Sequence, residues 1–352
     1  MKIGIMGLPN SGKTTVFSAL TGESFNKSNV RDKFIIRNIS VPDSRIDYLS
    51  DIYQPEKTVY PEIDLLDYND FSADTKSLKP EYISKLRECD GLLKVIRDFD
   101  SDVYPPALGD ASPAGELTEM DDEIILNDLL AVEKRLEKLE NAKYKLTNDE
   151  NIEMKILSKF REQLSSGDFL FRMEMNENEK RICGTFGYLS AKEEIIVINS
   201  NEPEKTSQPE LIARLKEQNR EFAIISAENE KDLNELEGED REELAREMQI
   251  SEFGIEKIIN KFFYRLNLIM FFTVGKDEVR GWTLQQGDSA LEAAGTIHSD
   301  LKRGFIKAEV VSYEDFKQYG SMKECATHGV MRQEGKEYTV KDGDIITIKF
   351  NV

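Results

Sequence analysis

The stretch Gly7-Leu8-Pro9-Asn10-Ser11-Gly12-Lys13-Thr14-Thr15 has the residue types and the spacing to hold a phosphate chain. It fits G-x-x-x-x-G-K-[ST], with Gly7, Gly12, Lys13 and Thr14 in register. Glycines let such a loop wrap closely, and backbone N–H groups then point at phosphate oxygens with a helix N-terminus behind them. Lys13 is the residue placed to neutralise the β- and γ-phosphates, and the Thr14 hydroxyl to ligate Mg²⁺. The backbone N–H groups of Asn10, Ser11, Gly12, Lys13, Thr14 and Thr15 would stabilise the charge that remains.

Such a loop works only between a strand and a helix. Lys2-Ile3-Gly4-Ile5-Met6 reads as a buried first strand, and the run from Thr15 to Leu20 starts a helix. Further on, Ile63-Asp64-Leu65-Leu66-Asp67 and Gly91-Leu92-Leu93-Lys94-Val95-Ile96 are apolar runs separated by the helix-like "PEYISKLRECD". Strand signals return at Glu193–Asn199 and Phe222–Ser226. Alternating strands and helices imply an α/β fold with a parallel sheet covered on both faces. Ligands of such sheets lie at the carboxyl ends of the strands, which places Asn199 and Ser226 beside Gly12.

Between these strands the character changes. "DDEIILNDLLAVEKRLEKLENAKYKL" carries Ile125, Leu129, Val132, Leu136 and Leu139 three or four residues apart, and "NIEMKILSKFREQLSSG" follows after a short turn. The pair reads as an antiparallel helical hairpin inserted into the nucleotide domain, either a solvated arm or a partner-binding one. The expected division is residues 1–120 and 182–266 for the P-loop domain, 121–181 for the hairpin and 267–352 for a compact α+β, ubiquitin-like module. In that last module "SALEAAGTIHSDL" reads as one helix and "YTVKDGDIITIKFNV" as a turn flanked by two strands.

The chain of 352 residues has a formal net charge of −20, which argues against broad nonspecific attraction to nucleic acid. The last 86 residues carry only about −2, so any nucleic-acid-facing surface belongs near the carboxyl terminus. Three cysteines (Cys89, Cys183, Cys325) lack metal-ligand spacing and point to a reduced, cytoplasmic protein. The start reads as strand and P-loop rather than a leader, and no apolar run approaches the roughly 18 residues of a membrane span. With His298 and His328 as its two histidines, the chain has no histidine-rich metal site.

Taken in order, "GLPNSGKTT", "VPDSRIDYLSDIYQPEKTVYP", "KLRECDGLLKVIR" and "FFTVGKDEVRGWT" resemble the YchF/Obg-like ATPase family, a branch of the P-loop GTPase superclass. "AAGTIHSDLKRGFIKAEVVSYEDF" and "EGKEYTVKDGDIITIKFNV" are similar to that family's TGS domain nearly residue by residue. The resemblance runs end to end. It implies a nucleotide domain, an inserted coiled-coil arm, a carboxyl-terminal TGS domain and contact with the ribosome or ribosomal RNA.

Base choice turns on residues 199 to 202. Where ordinary GTPases carry Asn-Lys-x-Asp, this chain has Asn199-Ser200-Asn201-Glu202. The stacking lysine is gone and the acid is longer by one methylene, which displaces the two-pronged contact to guanine. The family has Asn-x-x-Glu here and favours ATP, so ATP is the expected ligand and GTP the alternative. Ser226-Ala227 matches the loop that supplies a further base contact; helix capping after a strand is the other reading of Asn199 and Glu202.

The switches depart from the family pattern. Asp67-Tyr68-Asn69-Asp70 stands where Asp-x-x-Gly is expected, so Asp67 can still orient a magnesium water while Asp70 puts a like charge beside the γ-phosphate. Phe71 cannot orient a water, and the threonine expected to complete the Mg²⁺ shell falls near Arg31. Asn10 stands where cation-dependent relatives of the superclass offer a side-chain oxygen to K⁺; a plain turn role is the other reading. The expectation is an ATP-binding, ribosome-associated protein with slow Mg²⁺-assisted hydrolysis. The alternative is a binding module in which hydrolysis has been lost.

Overall fold

The computed structural model describes residues 1–23, 33–68, 78–107, 112–203, 208–234, 236, 238–247 and 254–351. Its elements begin β1 (Lys2–Met6), α1 (Lys13–Thr21), β2 (Phe34–Ser40), α2 (Ser44–Tyr53), β3 (Lys57–Val59), β4 (Glu62–Tyr68), α3 (Pro80–Arg87) and β5 (Gly91–Asp98). Next come α4 (Pro113–Glu140), α5 (Asn148–Ser165), α6 (Glu177–Phe186), β6 (Glu193–Ser200), α7 (Pro209–Glu217), β7 (Glu221–Ile225) and α8 (Ala227–Asn234). The remainder are α9 (Gly238–Glu247), α10 (Gly254–Arg265), β8 (Leu268–Val274), β9 (Glu278–Gln285), α11 (Ala290–Ile297) and α12 (Ser299–Arg303). The chain closes with β10 (Phe305–Ser312), α13 (Tyr313–Tyr319), α14 (Met322–Thr327), β11 (Arg332–Glu334) and β12 (Asp344–Phe350). Two compact units result, Met1–Asn38 with Asp64–Ile258, and Ile39–Ile63 with Ile259–Val352.

The first unit is built on a sheet of order β2-β4-β1-β5-β6-β7, and β1 pairs in parallel with both β4 and β5. The β5–β6 and β6–β7 pairs are parallel as well, as expected from the sequence. Both β5 and β6 read as near-continuous apolar runs because their residues are covered on either face. Helix α4 starts at Pro113, ahead of the expected 121, because the Ser112 hydroxyl caps it by accepting from Gly115 N–H at 3.2 Å. Val132, Leu136 and Leu139 of α4 pack with Leu157, Phe160 and Leu164 of α5 in one core that also takes in Met6, Leu92 and Ile96. Arg135 ties α4 to Glu153 of α5 at 2.7 Å, and a Thr147–Glu150 capping box starts α5. The hairpin thus shares the core of the nucleotide sheet.

A four-charge network fixes that junction. Lys94 of β5, fully buried, reaches Asp121 of α4 at 2.7 Å and Glu194 of β6 at 2.5 Å. Arg220, just before β7, reaches the same two carboxylates at 2.6 Å each. Two cations and two anions leave no net buried charge, the condition under which burying them is tolerable.

The second unit has a mixed sheet of order β11-β10-β12-β8-β9-β3. Its core holds Ile269, Phe271, Leu284, Ala290, Ala293, Ala308, Val310, Val340 and Ile346. The early segment Ile39–Ile63 belongs here: β3 pairs in parallel with β9, and Arg45 bridges Asp43 and Asp342, each at 2.7 Å. Two local expectations need correction. The "SALEAAGTIHSDL" helix breaks at His298, whose ring accepts from Asp300 N–H at 3.1 Å and starts α12 afresh. The final turn is flanked by one strand, not two: the segment 338–340 makes an isolated bridge from Thr339 to Ser289, while β12 pairs with β10 and β8. Asp344 draws in Lys341 N–H (2.9 Å) and Tyr338 O–H (2.8 Å), which keeps residues 338–343 curled rather than extended beside β12.

Candidate functional site

The phosphate loop lies between β1 and α1, as its flanks required. Asn10 (φ 63°) and Gly12 (φ 88°) both adopt left-handed backbone, the second at almost no steric cost and the first tolerable for an asparagine. Ser11 N–H donates to Leu8 O at 3.2 Å and Val16 N–H to Gly12 O at 2.9 Å, so the loop closes on itself before entering the helix. The glycines are also required by space. A Cβ on Gly7 would come within 2.5 Å of the Val95 carbonyl oxygen, and one on Gly12 would overlap Asn199 Nδ2. Lys13 Nζ donates to Leu8 O at 3.1 Å, lying back along the loop it belongs to. Thr14 and Thr15 are half-buried in the first turn of α1, while Ser11 is wholly buried with its hydroxyl making no hydrogen bond among the described residues.

Asn199, at the end of β6, reaches this loop. Its Nδ2 donates to Ser11 O at 3.3 Å, and its Oδ1 accepts from Ala227 N–H, the first residue of α8, at 3.1 Å. One buried amide therefore joins the phosphate loop to the Ser226-Ala227 loop, and it supports the start of α8 as a cap from a distance. Ser200 is buried beside it, and its hydroxyl accepts from Glu202 N–H at 3.3 Å. Asn201 and Glu202 are exposed at the rim. They line a cleft of about 500 Å³ together with Arg97, Asp98, Phe99, Asp100, Pro106, Pro113, Ser200 and Gln208. The strand ends of β5 and β6 open into this cleft, where a parallel sheet places its ligand.

Asp67 sits at the carboxyl end of β4, one strand from β1, and is buried. Its charge, together with deep burial as the larger cause, pushes the Tyr82 phenol well above its usual range. The Tyr82 hydroxyl donates to Ile5 O of β1. Tyr68, next to Asp67, stacks on Tyr82 at 4.7 Å and donates to Glu81 at 2.7 Å, which Lys33 also meets at 2.9 Å. Arg31, Asp70 and Phe71 lie outside the described residues.

Arg97, Phe99, Tyr104, Pro105 and Glu116 were missed from the sequence as site residues. Arg97, at the end of β5 and 6% exposed, donates from Nε to Phe99 O (2.9 Å) and from one terminal nitrogen to Asn10 O (3.3 Å) and Tyr104 O. Its guanidinium lies 4.2 Å from the centre of the Phe99 ring. Asn10 returns the tie, its side-chain amide donating to Pro105 O at 2.9 Å. Glu116, in the first turn of α4, accepts from Arg97 N–H at 3.0 Å; burial raises its carboxyl, opposed by that bond and by the charges of Arg97 and Lys13. A signal existed: Arg97 ends an apolar run at a strand's carboxyl end, the rule that found Asn199.

No described helix is long and apolar enough to cross a membrane. Residues 268–351 match the family YchF-GTPase_C, described as "Protein of unknown function (DUF933)". Over 361 residues the chain is 34% identical to "Ribosome-binding ATPase YchF" of Bacillus subtilis, covering 99% of each. It is 32% identical to the protein of that name from Escherichia coli O157:H7, over all of this chain and 99% of the other. The solved "Structure of the Schizosaccharomyces pombe YchF GTPase" superposes with a TM-score of 0.87 at 27% identity, over 99% of this chain and 97% of that one.

Proposed function

The chain belongs to the YchF family, and from that premise we propose that it binds ATP in preference to GTP, hydrolyses it slowly with Mg²⁺, and uses its nucleotide state to govern contact with the ribosome in the cytoplasm. The observation that carries this reading is Asn199, which braces the phosphate loop at Ser11 while Ser200-Asn201-Glu202 line the adjoining cleft. A site without the Asn-Lys-x-Asp guanine reader loses its means of strong guanine discrimination. The names of the relatives support the ribosome as partner, with the hairpin (121–181) and the carboxyl-terminal domain (267–352, TGS-like) as the parts that meet it.

The residues present fit a magnesium nucleotide. Gly7 and Gly12 leave no room for a side chain where the loop must approach phosphate, and Thr14 and Asp67 offer the hard oxygen donors Mg²⁺ prefers. Thr14 would hold the ion and Asp67 orient its water; when bound, the ion would neutralise charge developing on the phosphates. Lys13 and the N–H groups of Asn10 to Thr15 would stabilise the same charge from the protein side, Lys13 Nζ and Ser11 N–H once they leave Leu8 O.

The altered switch residues Arg31, Asp70 and Phe71 favour a second reading, a nucleotide- or ribosome-binding module without hydrolysis. A single-turnover assay with ATP and with GTP at matched Mg²⁺ separates the two. Slow release of phosphate from ATP, abolished by Lys13→Ala, is the expected result. No release from either nucleotide, with binding retained, would leave the binding module standing.

A further inference from the structure

We infer that Arg97 is a positioning residue for the phosphate loop, an inference that rests on the nucleotide-binding reading above. Its fork of donors is spent on three backbone carbonyls, Phe99, Asn10 and Tyr104. The Asn10 carbonyl belongs to a non-glycine residue held at φ 63°, a conformation that needs support from its surroundings. Arg97 gives that support from one side, and the Asn10 amide bonded to Pro105 O gives it from the other. Between them, the segment from Phe99 to Pro105 is clasped to the loop. The Phe99 ring edge then lies 3.7 Å from where a Gly12 Cβ would stand.

Arg97 is itself fixed at two levels. Its backbone N–H is held by Glu116 of α4, and its guanidinium stacks on Phe99. Lysine could not replace it, because an ammonium has no planar fork with which to meet three carbonyls at once. Arg97 holds this backbone at the Asn10 carbonyl, where the run of N–H groups toward Thr15 begins. Its loss should therefore weaken ligands in proportion to the phosphates they carry. Arg97 also lines the cleft beside Ser200 to Glu202, but its side-chain donors go to Asn10, Phe99 and Tyr104, so a ligand held by its base alone should lose less.

The test is displacement of a fluorescent ATP analogue by ATP, ADP and adenosine, on the full chain and on Arg97→Met and Arg97→Lys. Losing charge-assisted bonds to a loop that must stay ordered should weaken ATP at least about tenfold in Arg97→Met. ADP should follow, adenosine should change little, and Arg97→Lys should recover only part of the loss. If Arg97→Met does not fold, the Arg97→Lys comparison carries the same reading. Wild-type ATP affinity in the variants overturns the inference, and so does an equal loss for ATP and adenosine, which would assign Arg97 to the base cleft. A wild type that binds no ATP overturns the reading on which the inference rests, and the inference with it.

Discussion

Asn199 Nδ2 lies against the phosphate loop so closely, donating to Ser11 O at 3.3 Å, that a single methyl group on Gly12 would displace it. Gly12 is therefore required twice, for its left-handed backbone (φ 88°) and for the space the amide occupies. Gly12→Ala should abolish detectable nucleotide binding. Asn199→Ala leaves the buried Ala227 N–H without its acceptor and should cost about 1–3 kcal/mol of stability. Nucleotide titration and urea unfolding check the pair; a Gly12→Ala protein that binds ATP normally contradicts this geometry.

The buried charges at the hairpin junction predict a pH dependence. Burial pushes the Asp121 carboxyl up, but Lys94 and Arg220 pull it down further, and its net shift is below the ordinary value of 3.8. Because folding lowers this pKa, the unfolded chain takes up the proton first as pH falls. The stability it contributes is complete above the unfolded value and disappears as pH falls through the folded one. Asp121→Asn leaves two buried cations facing Glu194 alone and should cost about 3–5 kcal/mol at pH 7. The gap between variant and wild type should close below roughly pH 4. Unfolding curves at pH 7, 5 and 3 measure it; a gap unchanged at pH 3 would mean that another group holds the junction.

Asp70→Gly is expected to raise basal hydrolysis. In sequence, Asp70 stands where the family has the glycine of Asp-x-x-Gly, and the change would remove a like charge facing the γ-phosphate and restore that glycine. A well-placed backbone donor is worth about 2.7–4 kcal/mol in the transition state, so even partial recovery should show in single-turnover rates. A wild type that turns over briskly, and a variant that is slower, would count against this view of the switch.

The strands and the loop were legible because each carries a local signature. β5 and β6 are long apolar runs, and Gly7 to Thr14 has a fixed spacing. Arg97 and Asn199 share the same kind of place at a strand end, yet only Asn199 had a motif around it. The contribution of Lys57–Val59 to the second sheet could not be read, since a three-residue edge strand has no periodicity and pairs with Glu278–Arg280, far along the chain. Lys94, inside "GLLKVIRD", gave no hint of its partners, because Asp121, Glu194 and Arg220 meet it only once helix and sheet have packed.

Asn10 is open to a cation test. Its amide nitrogen is engaged by Pro105 O, and the carbonyl end of the same side chain is the atom a K⁺ beside the phosphates would use. If it does, affinity or turnover should be higher in KCl than in NaCl at equal ionic strength, where general screening is alike. Asn10→Ala should erase the difference while circular dichroism stays unchanged. Equal behaviour in the two salts would reduce Asn10 to a tie to Pro105.

The proposed preference for adenine is tested most directly by calorimetric titration of the full chain with ATP and with GTP at the same Mg²⁺ concentration. With Asn199-Ser200-Asn201-Glu202 in place of a guanine reader, ATP should bind at least as tightly as GTP. GTP bound tenfold more tightly, a difference of about 1.4 kcal/mol, would contradict that claim.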